Sequence, residues 1–262
     1  MPAAEMIRFS VFVLVFTLCA VWEWRRPRKP LSQSKATRWL NNIGLVGLNS
    51  VCLALIMPML AMDAAFNAEH NQLGLFNTLS LPSWLEILLA VVLLDFAIYL
   101  QHVLFHRLPW LWRLHRVHHA DQDIDVTTGA RFHPIEIILS MWIKIGLVVA
   151  LGISPIAVLI FEVLLNACAM FNHSNAFLPL KADKLLRKII VTPDMHRVHH
   201  SVIRAETDSN FGFCLSIWDR WLGTYRAQPK YGHQGVKIGI NLFRRPREQW
   251  LDKLLTQPFR SQ

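Results

Sequence analysis

Residues 84–119 read WLEILLAVVLLDFAIYLQHVLFHRLPWLWRLHRVHH. The apolar run from Trp84 to about Leu104 is long enough to cross the roughly 30 Å hydrocarbon core of a bilayer as a helix. It ends in histidine rather than in an ordinary polar loop. His102 and His106 are spaced i, i+4, and His115, His118 and His119 are spaced i, i+3, i+4, so on helices each set presents its imidazoles on one face. His196, His199 and His200 repeat the triplet far downstream. Thr192-Pro193-Asp194 precedes that repeat as N-cap, first-position proline and first-turn acid, which predicts a helix opening there.

Three other apolar runs surround this stretch. Ile7 to Trp24 is followed at once by Arg25, Arg26, Arg28 and Lys29. A secretory signal has the reverse order, so a retained span is expected. Ile43 to Met62 is the next run. The last, about Ile135 to Phe171, carries Gly152, Ser154 and Pro155 near its middle and reads as two helices of a hairpin that enters and leaves on one side. Composition agrees: 53% of the 262 residues are hydrophobic and 17% charged, against about 25% charged in soluble domains. With a mean hydropathy of +0.31, a soluble globule and a disordered chain are both excluded. The expected fold is all-α, a polytopic membrane bundle of about four to five spans with a cytoplasmic, histidine-rich helical cap. The expected divisions are N-terminal spans over 1–83, a catalytic region over 84–240 and a basic tail over 241–262.

The net charge of +9 reports topology rather than nucleic acid, because the basic residues flank the spans. Arg25, Arg26, Arg28, Lys29, Lys35 and Arg38 precede the second span. The loop Asp63 to Ser83 has no lysine or arginine. Arg107, Arg113 and Arg116 follow the third span, and Lys181, Lys184, Arg187 and Lys188 follow the hairpin. Residues 25–42, 105–134 and 172–262 therefore belong to one side, expected to be cytoplasmic, and 63–83 to the other. Arg244, Arg245 and Arg247 read equally as headgroup contacts or a solvated charge run. Cys19, Cys52, Cys168 and Cys214 are scattered and form no C-x-x-C, which disfavours a disulfide framework or a cysteine–zinc site.

Of twelve histidines, ten lie between His102 and His200. Neutral imidazole binds zinc, iron, copper and nickel. A single histidine is more often a core or surface group than a ligand, but two identical triplets plus a pair are not explained that way. Their number exceeds one coordination shell and suits two metals. His70 and His233 fall outside the clusters and are assigned no ligand role. Asp95 and Glu136 are the nearest acids. Each is a candidate to orient a ligand's second ring nitrogen, with a structural pairing to Arg113 or Arg131 as the alternative for Asp95. Asp121, Asp123 and Asp125 read as a solvated loop.

The three histidine motifs resemble the signature of the fatty acid hydroxylase/sterol desaturase superfamily. Asp95-Phe96 with Tyr99, Pro109 to Arg113, Arg131-Phe132-His133-Pro134-Ile135-Glu136, Asn210-Phe211-Gly212 and Trp218 to Tyr225 extend the resemblance over about residues 90 to 226. It implies a histidine-bound diiron oxidoreductase that activates O2 and hydroxylates a C–H bond of a membrane lipid, fatty acyl or sterol-like. The implied metal ligands are His102, His106, His115, His118, His119, His173, His196, His199 and His200, with His133 a tenth. Some relatives carry a further His-x-x-x-His before the last triplet, where this chain has only His173. Completion of the second metal's shell then falls to His133 or to Asn175 through water. The implied cofactor is two iron ions, which zinc can replace in purified protein.

No Gly-rich dinucleotide fingerprint or fused haem domain is visible, so electrons are expected from a separate donor of ferredoxin or cytochrome b5 type with its reductase. A bacterial inner membrane is the expected location, and no nucleic-acid partner is expected. Three other functions compete. Desaturation uses the same site. A b-type cytochrome requires axial histidines facing each other across the spans, whereas these cluster at one membrane edge. A metal transporter places ligands near the bilayer midplane, and the first two spans contain no histidine.

Overall fold

In the computed structural model, which describes residues 2–261, five helical segments are long and apolar enough to cross a membrane among the described residues. α1 (Pro2–Arg25) is followed by α2 (Lys35–Ile56), which opens where Ser34 Oγ accepts the Thr37 N–H. The second apolar run is not one helix. Met57 is extended, φ −85° and ψ 127°, because Pro58 disfavours the helical region for the residue before it. The chain restarts as α3 (Ala61–His70), with Asp63 Oδ2 accepting the Leu60 N–H at 3.0 Å, and α4 (Leu75–Thr78) follows. The segment expected as a loop thus carries two short helices. Buried Ala61, Ala64, Ala65 and Ala68 let α3 lie close against the hairpin.

α5 (Ser83–Arg107) is the third span and runs through the extended Leu108 into α6 (Pro109–His119). The hairpin forms as expected, from α7 (Pro134–Leu151) and α8 (Pro155–His173). Its turn needs Gly152, at φ +66°, and Pro155 occupies the first helical position of α8. Gly74 packs on that turn so closely that a Cβ there would lie 2.1 Å from Gly152 N. Ser154 donates its N–H and Oγ–H to Glu86, at 3.2 and 2.8 Å. These contacts gather residues 73–86 and the hairpin turn at one end of the bundle. His173 and Pro134, at the hairpin's other end, mark the opposite pole. Phe9, Leu14, Leu18, Leu55 and Trp84 point outward, as suits side chains that face lipid rather than water.

The opposite pole is a cap of short elements: α6, the turn Thr128–Ala130, α9 (Leu180–Leu186), α10 (Pro193–His199), α11 (Arg204–Thr207), α12 (Ile217–Trp221), α13 (Gly232–Gly235) and α14 (Leu251–Thr256). Among the described residues no strand forms beyond isolated bridges. Asp121, Asp123 and Asp125 are buried here, not solvated. Arg38 reaches up from α2 and grips Asp121 with Nε and Nη2, at 2.7 and 2.8 Å, while its Nη1 donates to Asp125. Burial pushes the Asp121 carboxyl up, but Arg38 and Arg131 outweigh it and hold it at about 2. Asp123 accepts the N–H groups of Ser32 and Gln33, at 2.9 and 2.7 Å. The acids thus fasten the loop between α1 and α2 and the first turn of α2 to the cap through charge-assisted bonds. Residues 249–260 lie against the back of α6: Gln249 donates to Ala120 O at 3.2 Å, and Arg113 Nε to Pro258 O at 2.7 Å.

Candidate metal centre

Four helices bring imidazoles to the cap pole. His102 and His106 sit one turn apart at the end of α5, and α6 supplies His115, His118 and His119. His173 closes α8. α10, capped by Thr192 Oγ1 accepting the Met195 N–H at 3.3 Å, bears His196 and His199, with His200 just past its end. All nine are buried. They fall into two groups, within each of which one ligand atom per residue lies within 4.8 Å of all the others. The first is His102, His106, His115, His119 and His199; the second is His118, His173, His196 and His200. Each triplet feeds both groups, because successive side chains on a helix point about 100° apart. His118 and His119 therefore face different sites, as do His199 and His200.

The donor geometry fits metal ions. Nε2 of His102, His115 and His199 is buried without a hydrogen-bond partner. His106 and His119 approach Nε2 to Nε2 at 3.1 Å, His118 and His173 at 3.1 Å, and His173 and His196 at 3.0 Å. Two nitrogens about 2.1 Å from a common ion and about 90° apart lie roughly 3.0 Å from each other. Burial pushes the His115 imidazole down to about 3. Burial, and after it the repulsion of neighbouring imidazoles, pushes His118, His119, His196, His199 and His200 well below the ordinary 6.5. Neutral imidazoles are the form that binds metal.

Acceptors fix several tautomers. Nδ1–H of His102 donates to Phe211 O at 2.9 Å, of His106 to Asp208 Oδ1 at 3.3 Å, of His115 to Glu136 Oε1 at 2.7 Å, and of His199 to Ser209 O at 2.8 Å. In the second group only His173 is held this way, by Ala169 O at 2.7 Å. Nδ1 of His118, His196 and His200 is buried without a partner. Asp219 braces the acceptor segment, accepting the N–H groups of Phe211 and Gly212 at 2.7 and 2.8 Å. Asn210 takes φ +53° there, a backbone region that asparagine tolerates better than most residues.

The remaining expected residues are placed as follows. His133 stands outside both groups: it caps α7, its Nδ1 accepting the Ile135 N–H, while its Nε2 bonds Leu255 O at 3.2 Å. The Asn175 amide is taken up by Lys29, accepting its N–H at 3.2 Å and donating to its carbonyl at 2.7 Å. Glu136 orients His115 as expected. Asp95 orients no histidine and pairs with no arginine; it accepts the N–H groups of Cys214 and Leu215 and the Trp218 Nε1–H, pinning the cap loop to α5. His70 is exposed on α3. His233 is buried within the cap, 3.7 Å from Asp194, whose carboxylate also takes Arg28. Asp208, Ser209 and Ala169 were not singled out from sequence. Two of these three act through backbone carbonyls, which leave no mark in side-chain pattern.

A cavity opens beneath the imidazoles of His102, His115, His118, His173 and His196. Ile98, Phe105, Phe132, Ile137, Leu165 and Phe213 form its apolar wall, with Gln101, Glu136 and Ser140 as its polar lining. It lies between α5, α7 and α8, with the imidazoles at its upper end.

Residues 87–224 match the family model described as fatty acid hydroxylase. An ornithine lipid hydroxylase from Rhizobium tropici is 31% identical over 61% of this chain and 46% of its own length. An alkylglycerol monooxygenase from Homo sapiens is 30% identical over 62% and 34%, and a cholesterol 25-hydroxylase from Rattus norvegicus 26% over 55% and 48%. The chain thus spans less than half the length of each of these curated relatives. No solved structure matches it.

Proposed function

Because this chain belongs to the fatty acid hydroxylase family, we propose that it is an O2-dependent membrane oxidoreductase that hydroxylates a C–H bond of a lipid at a diiron centre. The observation that carries the reading is the pair of buried imidazole groups roofing an apolar cavity between membrane-spanning helices. The nine histidines would hold the ions, five at one and four at the other. When bound, two irons supply the oxidising power for an unactivated C–H bond, which no side chain here has. The chain's own residues do the rest. Ile98, Phe105, Ile137 and Phe213 pack the substrate chain and keep water from the reacting carbon. Glu136, Asp208 and the carbonyls of Phe211 and Ser209 hold the imidazoles in register.

Hydroxylation leaves one oxygen atom of O2 in the product and one in water, so it consumes a pair of electrons and protons. A separate ferredoxin or cytochrome b5 type donor with its reductase is the proposed source. The basic loops support a cytoplasmic cap, and a bacterial inner membrane is the proposed location. Relatives named as hydroxylases and monooxygenases favour oxygen insertion over desaturation. Lipid mass spectrometry of cells with and without the active protein tests this. A lipid that gains one oxygen supports the reading, a lipid that loses two hydrogens replaces it with desaturation, and an unchanged lipid profile overturns it.

A further inference from the structure

The cap reaches far down the side of α5. Asp95 receives the N–H groups of Cys214 and Leu215 and the indole N–H of Trp218. It lies about 18 Å along α5 from Ser83, at 1.5 Å per residue, and Ser83 is at the end of α5 that sits with the hairpin turn. The hydrocarbon core of a bilayer is roughly 30 Å thick. The loop that meets Asp95 is therefore level with the bilayer interior, not above it. α12 continues from this loop, with Trp218 packed on Phe96 at 4.8 Å between ring centroids, and ends on Trp221, which is 73% exposed.

α9 is held against the same loop and α12. Ser216 donates its N–H to Ile189 O at 2.9 Å and its hydroxyl to Arg187 O at 2.7 Å, and Arg220 Nη2 donates to Arg187 O at 2.7 Å. The outer surface of this unit is apolar and basic at once. Leu180, Leu185 and Ile189 are each more than half exposed. Lys181, Lys184 and Lys188 are exposed among them, at i, i+3 and i+7, with Leu185 beside them at i+4. The acid of α9, Asp183, is buried and taken by Arg187 at 2.5 Å, so among the described residues none of these three lysines is paired.

We propose that α9 and α12 form a shelf set into the cap-side leaflet, with Leu185, Ile189 and Trp221 among the upper acyl carbons and Lys181, Lys184 and Lys188 on the phosphates of anionic phospholipids. Depth supplies the apolar half of the argument, since side chains at the level of the hydrocarbon core meet lipid rather than water. Tryptophan is favoured at the membrane–water boundary, and a lysine stem lies along apolar surface while its ammonium group reaches the headgroups. Charge supplies the other half. Unpaired lysines near a bilayer surface select anionic over zwitterionic lipids, each by about fivefold. An acidic protein would match the lysines but not the apolar side chains at this depth. The shelf needs no metal and does not depend on the hydroxylase reading.

The test uses the full chain in phosphatidylcholine nanodiscs that carry a trace of photoactivatable phospholipid, its diazirine near the top of the acyl chain. Crosslinked peptides are mapped by mass spectrometry. A phosphatidylcholine probe should label the segments 180–190 and 217–222 as it labels exposed Trp24 on α1. A phosphatidylglycerol probe should label 180–190 at least roughly fivefold more than the phosphatidylcholine probe does, the weight of one lysine. Substituting Lys181→Gln, Lys184→Gln and Lys188→Gln together should erase that excess and leave labelling by phosphatidylcholine in place, because the immersed apolar side chains remain. Labelling of Trp24 with both segments untouched overturns the proposal and leaves this face to water or to an acidic protein. Equal labelling by the two probes, or an excess that survives the triple substitution, overturns it as well.

Discussion

The two imidazole groups lie side by side and draw on the same two triplets, yet they are built differently. In the group of five, four rings have Nδ1 held by an acceptor outside the site, and three of those acceptors come from Asp208, Ser209 and Phe211. In the group of four, only His173 is so held, while three Nδ1 atoms are buried without partners. A ring whose second nitrogen is fixed has its tautomer and direction set before metal arrives. The first group is therefore organised by the protein, and the second depends more on the ion itself. The first should bind metal tighter and release it later under a chelator.

The largest effect that would break the comparison comes from removing one imidazole of a group. His196→Ala leaves the second group three imidazoles. Turnover should fall by more than the roughly 10–100-fold that follows loss of an outer hydrogen-bond partner. Elemental analysis should show one ion lost per chain. His199→Ala leaves four imidazoles in the first group and should retain weakened binding there. If His196→Ala keeps both ions, the second group is not the weaker one.

Next in size are the outer partners. Asp219→Ala removes the brace on Phe211 and Gly212 and should weaken metal binding roughly 10–100-fold, confined to the tighter of two phases in a chelator titration. Glu136→Ala should act on the same phase through His115, whereas Glu136→Gln keeps an acceptor oxygen and should act far less. A shift in the weaker phase instead would reverse the assignment.

Acid sharpens the contrast between metal-free and loaded protein. His115 has a folded value of about 3 against an ordinary 6.5, and five further cap histidines are pushed the same way. Below 6.5 the unfolded chain takes up protons that these buried rings refuse. This contribution to stability is therefore complete above 6.5 and is lost as pH falls toward the folded values. The Tm of metal-free protein should drop on going from neutral pH to pH near 5, and bound metal should lessen the drop at the upper end of that range. A Tm that is flat or rises on acidification would show that the rings are already charged.

Smaller effects separate packing from ligation. A Cβ on Gly129 would lie 2.6 Å from Ala169 O and 3.3 Å from His173 Nδ1. Gly129→Ala should cost about 1–3 kcal/mol of stability by overpacking and loosen the group of four through its one supported ring, read as a lower Tm and an earlier weak phase. His133→Ala removes the α7 cap and should cost about 0.5–2 kcal/mol with full metal content. Loss of metal would make His133 a ligand after all.

What was legible in advance follows from side-chain chemistry and short-range spacing. The hairpin turn announced itself through Gly152 and Pro155, and the nine imidazoles that converge were marked by their triplets, their pair and a resemblance. The break at Met57 was also written, in Pro58, but the apolar run around it reads as continuous when only hydropathy is weighed. Long-range pairing was not legible. Asp121 looks solvated until Arg38, 83 positions earlier, is placed against it. Asp95 looks like a partner for histidine or arginine until the Trp218 loop descends onto it. The five-and-four division depends on how four helices meet, and carbonyl acceptors such as Phe211 O and Ser209 O belong to the backbone that every sequence shares.

The acceptor segment also imposes an order in time. Protein synthesis runs from the amino end at about 5–20 residues per second, and all nine imidazoles have been made once residue 200 is added. The braces for three of them come afterwards, in Asp208, Ser209 and Phe211, and the brace for that segment later still, in Asp219. A nascent chain halted between these points has every ligand and few of the tautomers fixed. Metal captured then would find flexible, interchangeable rings, open to zinc as readily as to iron. The segment that fixes the first group of rings is complete only once residue 219 is in place, and a chain truncated just past residue 200 should bind metal ions with little discrimination.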